Sequence, residues 1–185
     1  MPRAGLDRDR VVDAAIAIAD ADGLDAVTLS RVAAALGVRP PSLYKHVDGR
    51  EALMRAIALR SVRELTDTLR AAAVGRSGAD ALHAVAGAQR AFARAHPGRY
   101  AATVRAPAAD DDEHLAAVRE TVGVVTAALR AWDLPGDETI HAVRAVRSAV
   151  HGFVAIEAGG GFGMAVDCDA SFDRVVGLLA SGLGG

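Results

Sequence analysis

Two short helical patterns separated by a glycine, within residues 28–53, constrain the fold of this chain more than any other feature. Apolar residues of the first pattern recur at spacings of three and four, as on the buried face of an amphipathic helix. Thr28 precedes this pattern and can cap it, and Gly37 follows it and can adopt the left-handed backbone that ends a helix. Leu43 and Val47 then predict a second short helix. The combination is typical of a helix-turn-helix motif, whose second helix enters the major groove of DNA.

The charge distribution suits a DNA-binding motif of this kind. The net charge of the chain is −2, which argues against a globally basic protein that coats nucleic acid. From Arg31 to Lys45, however, there are three basic residues and no acidic residue. The local field around the second short helix is therefore expected to be positive.

The same segment resembles the DNA-binding domain of the TetR family of bacterial transcriptional regulators. That family has an Ala-x-x-x-Gly-Val turn, a Ser/Thr-Leu-Tyr-Lys/Arg-His helix, and a basic residue followed by Glu-Ala-Leu. This chain has Ala33 with Gly37, then Ser-Leu-Tyr-Lys-His at residues 42–46 and Arg-Glu-Ala-Leu at residues 50–53. Two departures from the family pattern are Val47, where an aromatic residue is usual, and Arg50, where lysine is common.

The resemblance implies which residues contact DNA. Arg39 and Ser42 begin the second helix and are predicted to contact base edges, because arginine can donate two hydrogen bonds to guanine. Phosphate groups are predicted to be held by Tyr44, Lys45, His46 and Arg50, together with Thr28, although Tyr44 can instead be a packing residue and His46 a surface residue. The predicted DNA-binding residues are Thr28, Arg39, Pro40, Ser42, Leu43, Tyr44, Lys45, His46 and Arg50. In a TetR-like homodimer, two such helices reach successive major grooves of a palindromic operator, about 34 Å apart.

The composition predicts helices for the whole chain. Hydrophobic residues make up 51% of the 185 residues and aromatic residues only 4%, which favours helices over sheets and an ordered core over disorder. We predict an all-α fold with an N-terminal three-helix helix-turn-helix domain and a C-terminal helical bundle, about nine helices in total. The predicted boundaries are residues 1–48 for the helix-turn-helix domain, residues 49–73 for a linking helix, and residues 74–185 for a C-terminal ligand-binding and dimerisation domain.

Cysteine content and hydropathy predict the cellular compartment of the protein. Cys168 is the only cysteine, so neither an intrachain disulfide nor a cysteine-based zinc cluster is possible. No segment has the roughly 20 apolar residues of a membrane span, and none resembles a targeting signal. We therefore expect a soluble, cytoplasmic protein with no membrane partner.

An acidic run and a glycine run each have two interpretations. Residues 110–113 are Asp-Asp-Asp-Glu, which suit the positive N-terminal end of the following helix better than a metal site, so no metal is predicted. Residues 159–163 are rich in glycine but follow a predicted helix rather than a strand, so they indicate a turn and not a nucleotide-binding loop. After that turn, Asp169 is predicted to cap the last helix.

A predicted helix over residues 138–158 has one stripe of large apolar residues and one stripe of small residues. Small residues at spacings of three and four allow a second helix to approach closely. We predict that this helix and the last helix pair with their copies in a twofold four-helix interface. The predicted interface residues are Ala142, Ala145, Ala149, Gly152, Phe153, Phe172, Val176 and Leu179.

The family resemblance extends into the C-terminal half. Residues 151–154, His-Gly-Phe-Val, resemble the His-Gly motif of one TetR C-terminal subgroup, called WHG-like, and residues 96–100 and 171–174 are also similar to this group. We expect these helices to enclose an apolar pocket for an unidentified small-molecule effector. The candidate pocket residues are His83, Phe92, Tyr100, Trp132, His141 and His151, each of which also fits a core or surface position.

The sequence therefore predicts a TetR-like transcriptional regulator, acting as a repressor, that binds its operator as a homodimer and is released by a small molecule. No cofactor is predicted. The alternative is a helical interaction and dimerisation module with no ligand response. An enzyme is not predicted and no catalytic residue is assigned, because the chain has neither a nucleophile elbow nor a His-x-x-x-His pair.

Overall fold

The computed structural model describes residues 6–184, and within that range it contains helices and no strands. The predicted all-α fold is confirmed, and the nine predicted helices correspond to eight α-helices plus the 3-10 helix Pro40–Lys45. Residues 1–5 and 185 of the predicted domains lie outside the described residues. The α-helices are α1 (Arg8–Asp22), α2 (Leu29–Leu36), α3 (Gly49–Ala73), α4 (Gly78–Ala95), α5 (Pro97–Thr103), α6 (Asp112–Ala128), α7 (Glu138–Ala158) and α8 (Cys168–Gly182).

Contacts along the chain divide it into two compact units. The N-terminal unit contains the described residues up to Arg63 together with residues 96–114, and the C-terminal unit contains residues 64–95 and the described residues from Leu115 onward. Residues 96–114 therefore pack with the N-terminal helices, a grouping that the predicted boundaries did not include. The functional assignment of residues 1–48, 49–73 and 74–185 stays a prediction.

Local chemistry determines where the helices of the N-terminal unit begin and end. Asp7 caps α1 by accepting a hydrogen bond from the Arg10 backbone N–H at 2.8 Å. Thr28 caps α2 in the same way, because its Oγ1 accepts from the Arg31 N–H at 3.2 Å. Gly37 ends α2 with a φ of 67°, which confirms its predicted left-handed conformation.

One apolar core lies inside the N-terminal unit. Burying a large aliphatic side chain stabilises a fold by roughly 1.5–3 kcal/mol, so a core of this size fixes the helices that contribute to it. Most of its fully buried members come from four α-helices and from the 3-10 helix Pro40–Lys45, and they include Val11, Ala15, Val32, Leu43, Leu53, Ile57 and Ala102. Ala102 belongs to α5, and α5 is therefore part of this core.

The C-terminal unit is built on α4, α7 and α8, which contact one another. Their apolar stripes meet in a second core, where the Phe153 and Phe172 rings lie 5.1 Å apart in a T-shaped arrangement. The predicted cap of α8 is wrong. The helix begins at Cys168, and Asp167 caps it by accepting a hydrogen bond from the Asp169 N–H at 2.9 Å.

The acidic run precedes and opens α6, and the arginines of α3 pair with it. Asp111 accepts hydrogen bonds from Arg55 Nε at 2.5 Å and from the His114 backbone N–H at 3.1 Å. Glu113 accepts from Arg55 at 2.9 Å and from Arg63 at 3.0 Å. The hydrogen bonds from Arg55 lower the pKa of Asp111 to about 2. Among residues 6–184, no three His, Cys, Asp or Glu side chains are grouped so that they could hold a metal ion.

Among the described helices, none combines the length and the apolar character needed to span a bilayer.

Candidate nucleic-acid interface

The segment Pro40–Lys45, here called the candidate recognition helix, presents polar side chains to solvent and apolar anchors to the core. Leu43 is fully buried, whereas Tyr44 is 60% exposed and Lys45 is also exposed. The predicted second short helix is present as a 3-10 helix of six residues that starts with two prolines.

The burial of Leu43 corrects one predicted DNA contact. A side chain with no exposed surface cannot touch DNA, so listing Leu43 as a DNA-binding residue is wrong. Val47, 5% exposed, lies on the same core. The two residues instead hold the candidate recognition helix against α2 and the N-terminal core, and Ser42 and His46 lie beside them half-buried.

Cationic side chains in this region differ in how far they are neutralised. Arg31 forms an ion pair with Asp22, so its charge is already compensated. Arg39 and Lys45 are exposed, and neither pairs with a carboxylate among residues 6–184. Their charge is therefore available to an external anion.

Arg50 has a structural contact that sequence reasoning missed. Its Nε donates a hydrogen bond to the Val27 carbonyl oxygen at 3.1 Å. This bond ties the start of α3 to the residue before the Thr28 cap. The side chain remains exposed, and its predicted phosphate contact stays a prediction.

The six candidate pocket residues do not fall in one compact unit. Tyr100 is buried on α5 in the N-terminal unit, whereas the other five belong to the C-terminal unit. Phe92 is buried, and Trp132 packs half-buried against the C-terminal core. His141 is exposed and His151 is half-buried, both on α7.

An open cleft of about 270 Å³ lies between α4 and α8, and His83 is the candidate pocket residue that lines it. The cleft is also lined by Arg90, Arg94, Asp169 and Phe172, among others. Its charges are largely paired with one another, so the cleft does not present an unpaired cation to a ligand.

Arg90 joins α4 to α7 and α8 through several contacts, and the sequence did not single it out. Its side chain is only 8% exposed, and it donates to Glu157 at 3.0 and 2.5 Å and pairs with Asp169 at 2.8 Å. The guanidinium carbon lies 5.2 Å from the Phe153 ring centroid and 4.8 Å from that of Phe172. The Glu157 hydrogen bonds raise the pKa of Arg90 and lower that of Glu157. The signal that could have indicated a buried ion pair was an arginine at a position of α4 where the helical spacing predicts an apolar residue.

The predicted interface residues divide into two groups. Ala142, Phe153, Phe172 and Val176 are buried in the chain's own core, which leaves them little surface for a second subunit, and their place in an interface stays a prediction. Those with accessible surface are Ala145, Ala149, Gly152 and Leu179. Leu178, which was not among the predicted interface residues, is 73% exposed on α8.

Two family models match the chain. Residues 11–57 match the model described as bacterial regulatory proteins, tetR family, and residues 82–179 match the tetracyclin repressor-like C-terminal domain. The two matches cover the helix-turn-helix and most of the C-terminal half. Membership of the WHG-like subgroup stays a prediction.

Relatives and solved structures agree with the family models. An HTH-type transcriptional regulator of Mycobacterium tuberculosis is 39% identical over 181 residues, covering 97% of this chain and 83% of the relative. The structure of a Rhodococcus sp. RHA1 protein of unknown function is 28% identical with a TM-score of 0.76, covering 100% of this chain and 97% of the other. A TetR variant from Acinetobacter baumannii AYE, solved in complex with minocycline, shares the fold at 23% identity and a TM-score of 0.71, covering 96% of both chains. The chain belongs to the TetR family and is a DNA-binding transcriptional regulator.

Proposed function

We propose that this regulator binds a palindromic operator as a homodimer and acts as a repressor that a small molecule releases. The observation that carries the proposal is the position of Arg39 and Lys45, which are exposed and unpaired beside the fully buried Leu43. The buried anchor fixes the backbone that carries the two cations, so the backbone itself does not have to become ordered when DNA binds. Their charge is attracted to the phosphate backbone.

Each predicted contact has a physical role in this proposal. Arg39 is at the N-cap of the candidate recognition helix, where it can reach a guanine edge, and Ser42 follows within the first turn. Thr28 already accepts a hydrogen bond from Arg31, and its hydroxyl can still donate to a phosphate oxygen. Phosphate contacts by the remaining exposed or half-buried residues set the orientation on the duplex: Pro40, Tyr44, Lys45, His46 and Arg50.

A palindromic operator requires a second copy of the chain, and α7 and α8 offer a surface for it. Ala145, Ala149 and Gly152 leave accessible small-residue surface on α7, and Leu178 is exposed on α8. Small residues let helices approach closely, and an exposed leucine gains from being covered. We propose that these four residues contact their copies across a twofold axis.

The effector is assigned to the C-terminal half. The family model there is described as tetracyclin repressor-like, and the fold is shared with a TetR variant solved with minocycline. The candidate pocket residues of the C-terminal unit are His83, Phe92, Trp132, His141 and His151. A ligand releases the operator if it binds more tightly to the form of the protein that has low DNA affinity. The size of the effect is set by the ratio of the ligand's affinities for the two forms.

Footprinting of the DNA upstream of the chain's own gene tests the proposal. The expected result is protection of an imperfect palindrome by the unmodified protein and weaker protection by Lys45→Ala. Arg119→Ala is the matched control, because Arg119 is an exposed cation on α6, outside the helix-turn-helix segment. A protein that protects no site there, and no site elsewhere in the genome, contradicts the proposed function.

Sedimentation velocity tests the subunit contact separately. Leu178→Asp is expected to convert the dimer to a monomer, because it places a charge in an apolar contact. Val74→Asp is the control, since Val74 is 74% exposed but lies outside α7 and α8. Equal dimer fractions for the two variants contradict the assignment of Leu178 to the interface.

A further inference from the structure

We propose that α5 is a working part of the DNA-binding unit, and that Gly98 and the Asp20–Arg99 pair position the helix-turn-helix for its operator without touching DNA. The proposal rests on the operator binding proposed above. Three observations within the N-terminal unit support it.

The first observation is a backbone-to-backbone contact between α5 and the end of α1. A carbon added at the Cβ position of Gly98 would lie 2.1 Å from both the carbonyl carbon and the carbonyl oxygen of Ala19, and 2.5 Å from the Asp20 nitrogen. All three are backbone atoms, which cannot turn aside as a flexible side chain can. Any residue larger than glycine therefore has to move α5 and α1 apart.

The second observation is a polar bond at the same place. Asp20 accepts two hydrogen bonds from Arg99, one from the backbone N–H at 2.8 Å and one from Nε at 2.8 Å. His96 Nδ1 also lies 3.8 Å from the Asp20 carboxylate. A carboxylate that accepts both a main-chain and a side-chain donor fixes distance and orientation together.

The third observation is the path from this contact to the candidate recognition helix. Gly23 donates its N–H to the Ala19 carbonyl at 2.9 Å, which closes the turn that leads to α2. Ala102 of α5, Val27 and Leu43 are fully buried in one core. A displacement at the end of α1 is therefore transmitted to α2 and to the Leu43 anchor, because packed cores resist gradual deformation.

Gly98→Ala in the full-length chain is the test. We expect it to lower affinity for the operator at least about tenfold, at a temperature where helical content matches that of the unmodified protein. Affinity for non-operator duplex should change less than about twofold, because the phosphate contacts remain. Gly123→Ala is the matched control. Gly123 is also a helical glycine, with nothing within 4 Å of its Cβ position, and its replacement should leave both affinities unchanged.

Asp20→Ala tests the polar bond, with Asp25→Ala as its control. Both variants remove one negative charge near the helix-turn-helix, so the net charge of the protein changes by the same amount in each. Asp25 is exposed and forms no ion pair among residues 6–184, so only Asp20→Ala loses a contact. We expect Asp20→Ala to bind the operator at least about threefold more weakly than Asp25→Ala. If Gly98→Ala fails to fold, the comparison of Asp20→Ala with Asp25→Ala still tests the proposal.

Amide hydrogen exchange provides a readout that needs no DNA. Gly98→Ala should lose protection in α1, α2 and residues 40–47, while α7 and α8 keep theirs. Unchanged hydrogen exchange in α1 and α2 of Gly98→Ala overturns the proposal, whether or not the protein binds an operator. If the protein binds no operator at all, the proposed function fails, and the exchange result still tests the role of α5. Operator affinity within about twofold of the unmodified protein for both Gly98→Ala and Asp20→Ala also overturns it.

Discussion

Replacing Arg90 by alanine is expected to destabilise the C-terminal unit by about 3 kcal/mol. Removing one partner of a buried ion pair costs about 3–5 kcal/mol, because the other charge stays buried and unpaired. Each lost contact with a phenylalanine ring adds about 0.5–1 kcal/mol. Two features reduce this total. Glu157 is 17% exposed and Asp169 is 70% exposed, so both regain some hydration when the arginine is removed.

Urea unfolding followed by tryptophan fluorescence measures this loss. Trp132 is the only tryptophan of the chain and packs against the C-terminal core, so its emission reports that unit. Protein concentration is held constant, because dimerisation would contribute to the measured stability. Arg119→Ala is the control and should stay within about 0.5 kcal/mol of the unmodified protein.

The pH dependence adds a second readout. Arg90 lowers the pKa of Glu157 below its ordinary value of 4.5, so the pair stabilises the fold above that value and loses its contribution as the pH falls through the lowered pKa. Arg90→Ala should therefore lose less stability than the unmodified protein in that acid range. A loss below about 1 kcal/mol at neutral pH, or parallel acid profiles, would refute the reasoning.

Three further predictions concern the N-terminal unit. Lys45→Ala should reduce the slope of log affinity against log salt by about 1.8 per dimer, at about 0.9 for each lost phosphate contact, and an unchanged slope removes Lys45 from the interface. Leu43→Ala should cost about 2–5 kcal/mol of unfolding free energy by circular dichroism, whereas Tyr44→Ala should cost no more than about 0.5 kcal/mol yet weaken DNA binding. Equal stability losses for Leu43→Ala and Tyr44→Ala would contradict the buried position of Leu43 and the exposed position of Tyr44. Asp111→Asn should flatten the stability profile between pH 3.8 and about 2, because the lowered pKa of Asp111 makes its ion pair stabilising above that window and lost within it. An unaltered acid limb in thermal unfolding would contradict this prediction.

Local chemistry explains which parts of the fold were predictable. The cap at Thr28 and the left-handed Gly37 each depend on residues next to them in the chain. The bounds of α3 and α7 matched the prediction for the same reason. The cations around the candidate recognition helix were also correctly placed outside the core.

Tertiary contacts explain what the sequence could not predict. Ala142 and Ala145 belong to the same small-residue stripe, yet only Ala145 is exposed, because α4 and α8 cover one side of α7. Arg90 finds its partner Glu157 67 residues away, and no local pattern indicates that pairing. The close contact at Gly98 likewise depends on a helix that ends more than 70 residues earlier.

Selection of duplexes from a random pool by the full-length protein tests the central claim most directly, since it requires no knowledge of the target genes. We predict enrichment of a palindrome whose half-site centres lie about 34 Å apart, bound by two protomers. Arg39→Ala should relax the preference at one position of each half-site and leave the others intact. A pool that shows no enrichment, or a single half-site bound by one protomer, would contradict operator recognition by a twofold dimer.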